Sequence, residues 1–252
     1  MTRKSRSDSD EDDFDSGRPE WPATRRKVED YPSDPADWLA PHHMSATETS
    51  LRLARWLLAQ KLVVSDIDVA LTGHELTRRN TPRFPVERFL AERSVTRLDR
   101  GEGEGEGDDW RGRYLLHGAA HALRLHSDRD EGDVVATLMN GRRLVAQVSR
   151  GVVGETRSPA EHKMLRAVIG RAVTFEHYEP SDWGAAVVPR NARFRQLAAR
   201  WRRTQPMERS GLLILTVDRV GMVDGFPPEV TKLPVSGRPQ PIQGEEDSWR
   251  LS

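Results

Sequence analysis

The stretch GDVVATLMNGRRLVAQVSRG, residues 132–151, has the pattern of a β-hairpin. Two apolar runs lie on either side of the Asn-Gly pair at 140–141, and both of those residue types tolerate the positive φ angles of a tight hairpin turn. Asp133 opens the first run, and Gln147 and Ser149 lie near the end of the second. This pattern predicts two antiparallel strands in the middle of the chain.

The chain after the hairpin alternates between helical and strand patterns. Ser158 can cap a helix with Glu161 at its third position, where a capping box places an acid. The next segments predict a buried strand, an amphipathic helix and a second buried strand. The four segments are 158–175, 183–189, 191–203 and 211–218. Their order implies a partly parallel sheet with helices on its faces, and the hairpin makes that sheet mixed.

The chain before the hairpin has weaker patterns. Ser45 or Thr47 can cap a first helix. The glycines and acids of residues 101–107 predict a flexible loop, since this composition supports no regular structure. The other predicted elements are a helix at 45–60, a strand within 61–73, a short helix within 81–93 and two strands within 111–127.

The domain organisation follows from composition. Residues 1–44 are acidic and rich in proline, and we expect a disordered tail there. Residues 45–228 are expected to form one α/β domain, and residues 229–252 a second disordered tail. Either tail offers a docking segment for a protein partner.

Composition also excludes several classes of function. The chain has no cysteine, which rules out disulfides, thiolate catalysis and cysteine-ligated zinc. No apolar run has the length of a membrane span, and the N-terminus lacks the apolar stretch of a signal peptide. We therefore expect a cytoplasmic protein without membrane contact.

Charge is balanced overall but unevenly placed. The chain has 39 basic and 39 acidic residues, so no global field attracts nucleic acid. Residues 8–15, DSDEDDFD, form an acidic run, whereas residues 183–207 contain no acid. Six arginines accumulate in that second segment and are candidate nucleic-acid contacts: Arg190, Arg193, Arg195, Arg200, Arg202 and Arg203. The alternative is that they solvate the outer face of an amphipathic helix.

The order of a helix, three antiparallel strands, a helix and a parallel strand resembles the core of the PD-(D/E)XK, or restriction-endonuclease-like, nuclease superfamily. In that family an acid opens the first strand of the hairpin, E-x-K closes the second, and a glycine follows. Asp133 matches the acid, Gln147-Val148-Ser149 stands where E-x-K would be, and Gly151 matches the glycine. The resemblance covers about residues 45–220. It implies a restriction-endonuclease-like mixed β-sheet core flanked by helices, and a Mg²⁺-dependent deoxyribonuclease.

The chemistry of that family requires charges that this hairpin lacks. Mg²⁺ binds hard oxygen ligands, chiefly carboxylates, and stabilises charge on the phosphate. By the resemblance Asp133 and Gln147 are metal ligands, and Ser149 stands in the place of the lysine that orients the attacking water. Gln147 brings no negative charge and Ser149 no positive charge. The hairpin therefore resembles an active site that has lost much of its chemistry.

Other residues could restore the lost groups. Lys163 can replace the strand lysine, because some relatives carry it on the following helix. Glu48 on the first helix matches the place where related nucleases keep an additional acid. Each has a structural alternative, since Lys163 suits a solvated helix surface and Glu48 suits the first turn of a helix.

Three functions therefore remain open. The first is a nucleic-acid-binding protein with a degraded site, and the second is an active metal-dependent DNA endonuclease that uses Asp133 with Lys163. The third is a non-catalytic protein-interaction module. The replaced residues at positions 147 and 149 favour the first.

Overall fold

The computed structural model describes residues 43–71, 84–91, 95–100, 110–128, 130–153, 160–176 and 178–231. Most of both predicted tails and the whole loop at 101–107 lie outside these residues, as does the predicted helix cap Ser158. The described structure starts at His43, two residues before the predicted start of the domain, and continues three residues past its predicted end.

Within these ranges the chain forms eleven strands and six helices. The strands are β1 (His43–Met44), β2 (Ile67–Ala70), β3 (Val95–Arg100), β4 (Gly112–Leu116), β5 (Ala122–His126), β6 (Val134–Thr137), β7 (Arg143–Val148), β8 (Gly151–Val152), β9 (Trp183–Pro189), β10 (Leu213–Val217) and β11 (Val223–Asp224). The helices are α1 (Ala46–Ala59), α2 (Val86–Ala91), α3 (Ala160–Val173), α4 (Ala192–Arg202), α5 (Gln205–Ser210) and α6 (Pro228–Thr231).

Nine of the strands form one mixed sheet in the order β11-β10-β9-β7-β6-β2-β5-β4-β3. The pairs β10–β9, β9–β7 and β2–β5 are parallel, and the other neighbours are antiparallel. The predicted mixed α/β class is thereby confirmed. Strand β7 lies between β6 and β9, and its residues Leu144, Val145 and Ala146 are fully buried. The hairpin is therefore at the centre of the sheet.

The two faces of the sheet carry different helices. Along β9, Ala185 and Val187 belong to one apolar cluster, and Ala186 and Val188 belong to another. Because successive side chains of a strand point to opposite faces, the two clusters lie on opposite sides of the sheet. Helices α1 and α2 cover the first face, and α3 and α4 cover the second. The domain therefore has three layers.

The hairpin turn lies where it was predicted, but of the Asn-Gly pair only the glycine has a positive φ. Leu138 N donates to Arg142 O over 2.8 Å, and Gly141 N donates to Leu138 O over 2.8 Å. Gly141 has φ +79°, in the left-handed region that glycine adopts at low cost.

A two-stranded ribbon joins the start of the described chain to the segment after the hairpin. His43 of β1 lies opposite Val152 of β8, and Met44 lies opposite Gly151. Ser45 then caps α1, with its hydroxyl accepting from Glu48 N at 3.0 Å. No helix in the described ranges is long and apolar enough to cross a bilayer.

Candidate functional site

Asp133 lies immediately before β6, beside the carboxyl end of β7. Its side chain is 2% exposed. Its Oδ2 accepts a hydrogen bond of 2.7 Å from the backbone N–H of Val148. Its own N–H donates to Ala146 O at 2.9 Å, and its carbonyl accepts from Ala70 N at 3.0 Å. The carboxylate thus supplies Val148 with the acceptor that a longer β6 would have provided.

Gln147 and Ser149 lie at the same end of the hairpin as Asp133. Gln147 is 8% exposed, and its Nε2 lies 3.7 Å from the place that a Cβ on Gly132 would occupy. Ser149 follows β7; its N–H donates to Val187 O at 2.9 Å and its hydroxyl to Arg150 O at 3.1 Å. The structure therefore places Asp133, Gln147 and Ser149 at one end of the hairpin, as predicted, with the Asp133 and Ser149 side chains bound to backbone groups.

Glu48 lies in the first turn of α1, and its carboxylate forms ion pairs with two arginines. Its Oε1 is 2.9 Å from Arg52 Nε and 3.2 Å from Arg219 Nε. The Arg52 guanidinium also donates to the Arg219 carbonyl, and Arg219 Nη2 donates to His43 O at 2.7 Å. Burial lowers the pKa of Arg52, and the nearby Glu48 carboxylate opposes that shift. This group of three charges, in which Glu48 and Arg52 are buried and Arg219 is 24% exposed, holds α1 to the segment after β10.

The first turn of α3 buries a residue other than the predicted lysine. Lys163 is exposed, whereas Glu161 is 1% exposed. Glu161 Oε1 accepts from Asn191 Nδ2 at 2.6 Å, and Oε2 is buried with no hydrogen-bond partner. The sequence had indicated Glu161 only as a capping residue. Its contact with Asn191 instead joins α3 to α4.

Asn191 organises the start of α4. Its Oδ1 accepts from Phe194 N at 2.7 Å, which caps the helix. Its Nδ2 also donates to Val152 O of β8 at 2.9 Å. The amide of Asn191 therefore joins the first turn of α4 to the β1–β8 ribbon. An asparagine directly before a helical pattern is the one sequence signal for this role.

The six arginines predicted to contact nucleic acid divide into two groups. Arg190 forms an ion pair with Asp218 at 3.3 Å. Arg202 donates to the Ile214 carbonyl and lies 3.2 Å from Asp224. The other four side chains are exposed: Arg193, Arg195, Arg200 and Arg203.

Three of these exposed arginines lie on one side of α4. Arg193 and Arg200 are seven positions apart in α4, and Arg203, its C-cap residue, follows Arg200 by three positions. These spacings place side chains on the same side of a helix. We refer to these three residues as the basic face of α4. The buried side of the helix contains Phe194, Leu197 and Ala198, which pack on the sheet.

The predicted metal ligands do not fit Mg²⁺. One oxygen of Asp133 is bound to Val148, Glu48 is neutralised by two guanidinium groups, and Gln147 is uncharged. Among the described residues no group of three or more histidine or acidic side chains is placed to hold a metal ion. A Mg²⁺ site usually needs one or two available carboxylates.

A separate open cavity of about 470 Å³ is lined by Asp130, Glu131, Arg143, Tyr178 and Glu179. Arg143 lies 3.1 Å from Glu131 and 3.5 Å from Asp182. Burial and then Asp182 raise the pKa of Tyr178 to about 12, so the phenol is neutral. The lining contains none of the predicted site residues.

Comparisons with known proteins give no family. No protein-family model, no curated protein and no solved structure matches this chain. The function of this chain must therefore be inferred from its residues and its topology.

Proposed function

We propose that this chain is a restriction-endonuclease-like protein that binds nucleic acid and whose phosphodiester-cleaving site is degraded. The observation that carries the proposal is the set of elements α1, β2, β6, β7, α3 and β9, in this order along the chain, with α2, β3, β4 and β5 inserted between β2 and β6 and the two-residue β8 before α3. Strand β6 is antiparallel to β2 and to β7, and β9 is parallel to β7. This order agrees with the core of the superfamily that the hairpin resembles. It also puts an acid, Asp133, beside the altered motif at Gln147 and Ser149.

The geometry around Asp133 supports the loss of cleavage. A catalytic carboxylate in this family needs lone pairs for Mg²⁺, and Asp133 gives one of its oxygens to Val148 N. No second carboxylate stands at position 147, and no cation at position 149. Glu48, the other candidate ligand, is bound to Arg52 and Arg219.

The basic face of α4 supports nucleic-acid binding. Its guanidinium groups are exposed, and residues 183–207 contain no acid that would oppose a phosphate. Arginine contacts with phosphate provide most of the affinity that does not depend on sequence. DNA is the partner that the superfamily resemblance favours.

Fluorescence anisotropy on a DNA duplex over a range of salt concentrations tests the proposal. The variant Arg193→Gln/Arg200→Gln should bind more weakly. The slope of log K against log salt should fall by about 1 for each phosphate that the variant no longer binds. The matched control Arg124→Gln/Arg142→Gln removes two exposed arginines away from α4 and should bind like wild type. Binding that is insensitive to salt, or weakened equally by both variants, would contradict the proposal.

Incubation of the same DNA with Mg²⁺ or Mn²⁺ tests the degraded site. We expect no metal-dependent cleavage by the wild-type protein. Cleavage that is abolished in both Asp133→Asn and Lys163→Ala would instead establish an active endonuclease that uses a lysine from α3. If no DNA is bound under any condition, the third function, a protein-interaction module, takes precedence.

A further inference from the structure

We propose that the acidic run at residues 8–15 binds the basic face of α4 and competes there with nucleic acid. The contact between the acidic run and α4 forms within this chain and does not require nucleic acid. Its competitive effect rests on the nucleic-acid binding proposed above.

Charge complementarity is the first argument for this contact. Six of the eight residues in the run are acidic: Asp8, Asp10, Glu11, Asp12, Asp13 and Asp15. An extended chain advances about 3.3 Å per residue, and a DNA strand carries one phosphate per about 3.4 Å of helix axis. The acidic run therefore has a density of negative charge close to that of a nucleic-acid strand. The guanidinium groups of Arg193, Arg200 and Arg203 can bind carboxylates and phosphates by the same hydrogen bonds.

The position at which the N-terminal segment joins the domain is the second argument. His43 pairs with Val152, and the Val152 carbonyl accepts from Asn191 Nδ2 at 2.9 Å. Asn191 is the N-cap of α4. The chain that leads back to the acidic run therefore leaves the domain beside the first turn of the helix that carries the basic face.

The length of that chain is sufficient for the contact. Twenty-seven residues lie between Asp15 and His43. The maximum reach of that many residues, at about 3.3 Å each, is about 90 Å, whereas the 11 residues of α4 extend over only about 16 Å. Attachment to the same chain raises the effective concentration of the acidic run at α4. Even a weak contact between carboxylates and guanidinium groups is populated at such a concentration.

A spin label tests the contact without nucleic acid. Because the chain has no cysteine, Ser9→Cys creates a unique labelling site in the full-length protein. At low salt the label should broaden the amide resonances of residues 192–203. The broadening should disappear in 0.5 M salt, because screening removes attraction between exposed charges. Broadening that is absent from α4, or confined to another basic segment such as residues 24–27, would overturn the proposal.

Neutralising the acids tests the competition. The full-length variant Asp12→Asn/Asp13→Asn/Asp15→Asn should bind DNA at least about fivefold more tightly than wild type at 50 mM salt, because the tethered competitor is weakened. The matched control Glu245→Gln/Glu246→Gln/Asp247→Asn removes the same charge near the other end of the chain and should bind less tightly than that variant. Equal affinities of the two variants would overturn the competition.

The two measurements separate this inference from the proposed function. Broadening at α4 in a protein that binds no DNA would support the contact and remove the proposed function. DNA binding through the basic face without broadening at α4 would support the proposed function and overturn the contact.

Discussion

The backbone N–H of Val148 donates a hydrogen bond of 2.7 Å to Oδ2 of Asp133. This bond accounts for an acid at the start of a buried strand, where aspartate is otherwise unfavourable. In the superfamily proposed for this chain, the acid at this place in the hairpin is a metal ligand. In this chain the carboxylate completes the hydrogen bonding of the sheet.

Replacing Asp133 should therefore affect stability. The substitution Asp133→Ala leaves a buried N–H without an acceptor and should lower the free energy of unfolding by about 1–3 kcal/mol. Urea denaturation measures the change. The control Asp130→Ala removes an exposed acid of the same loop and should change stability by less than about 0.5 kcal/mol. Equal effects of the two substitutions would show that the bond to Val148 contributes little.

A second acid at the end of the hairpin should create a metal site. Gln147→Glu places a second carboxylate at the end of β7 near Asp133, and their repulsion favours a bound cation. Adding Ser149→Lys completes the E-x-K motif. We expect Mn²⁺ to raise the melting temperature of the double variant and to leave that of wild type unchanged. The exposed substitution Gln196→Glu on α4 is the control for a new carboxylate. A shift of the same size in that control would mean that the hairpin has no latent metal site.

The buried ion pairs of Glu48 should be important for the attachment of α1. Glu48→Gln leaves the guanidinium of Arg52, which is 5% exposed, without its counter-charge. Breaking a buried pair on one side costs about 3–5 kcal/mol. The loss should appear in urea denaturation, and Glu87→Gln, an exposed acid of α2, should have little effect. A stable Glu48→Gln variant that gains metal affinity would contradict a structural role.

Two glycines should respond in opposite directions to alanine. A Cβ on Gly151 would lie 2.7 Å from Phe194 Cε2 and 3.2 Å from Pro189 Cδ, whereas a Cβ on Gly170 would meet no atom within 4 Å. Gly151→Ala should therefore destabilise the domain by about 1–3 kcal/mol, because the close-packed ring must move. Gly170→Ala in α3 should stabilise it by about 0.5–1 kcal/mol. Thermal unfolding of both variants measures the difference. A change of stability in the same direction for both variants would contradict this explanation.

Two aspartates near β2 have opposite pKa shifts. Burial acts to raise the pKa of Asp66, but hydrogen bonds from Ala122 N at 2.9 Å and from Arg113 at 2.7 Å outweigh it and lower the pKa below 3.8. Burial raises the pKa of Asp68 above 3.8, although the charge of Arg124 opposes the shift. The two carboxyl groups should therefore contribute to the pH dependence of stability with opposite signs.

Urea midpoints between pH 2 and pH 6 test this difference. The lowered pKa of Asp66 gives stability that is complete above pH 3.8 and is lost as the pH falls through the folded pKa. Compared with Asp66→Asn, wild type should therefore lose stability below pH 3.8. Compared with Asp68→Asn, wild type should gain stability as the pH falls towards 3.8, because the folded state takes up the proton first. Slopes of the same sign for both pairs would contradict these assignments.

Local patterns explain which elements could be predicted from the sequence. The hairpin, α1, α3, α4 and the buried strands β9 and β10 each have an apolar period or run that is visible within one segment. Strand β3 was not predicted, because it lies at the edge of the sheet and its central apolar residue, Leu98, is 48% exposed. The two-residue strands β1, β8 and β11 are too short to show any period.

The sequence could predict only those contacts of the candidate site that form between residues close together along the chain. Asp133 and Gln147 come together because the Asn-Gly turn fixes the pairing between β6 and β7. The partner of Glu161 is Asn191, 30 residues away, and Glu48 binds an arginine 171 residues away. Tertiary packing determines such pairs, so the sequence indicated Glu161 only as a capping acid, and Glu48 only as a helix-start acid or an additional metal ligand.

The contact between Glu48 and Arg219 has a consequence for biosynthesis. Helix α1 leaves the ribosome first, but the arginine that completes its charge pairing is 171 residues later. At about 5–20 residues per second, the interval is about 10–30 s. During that time Glu48 and Arg52 keep their hydration, and α1 has no finished sheet on which to pack. The first helix of the domain is thus among the last parts of the nascent chain to reach its final environment.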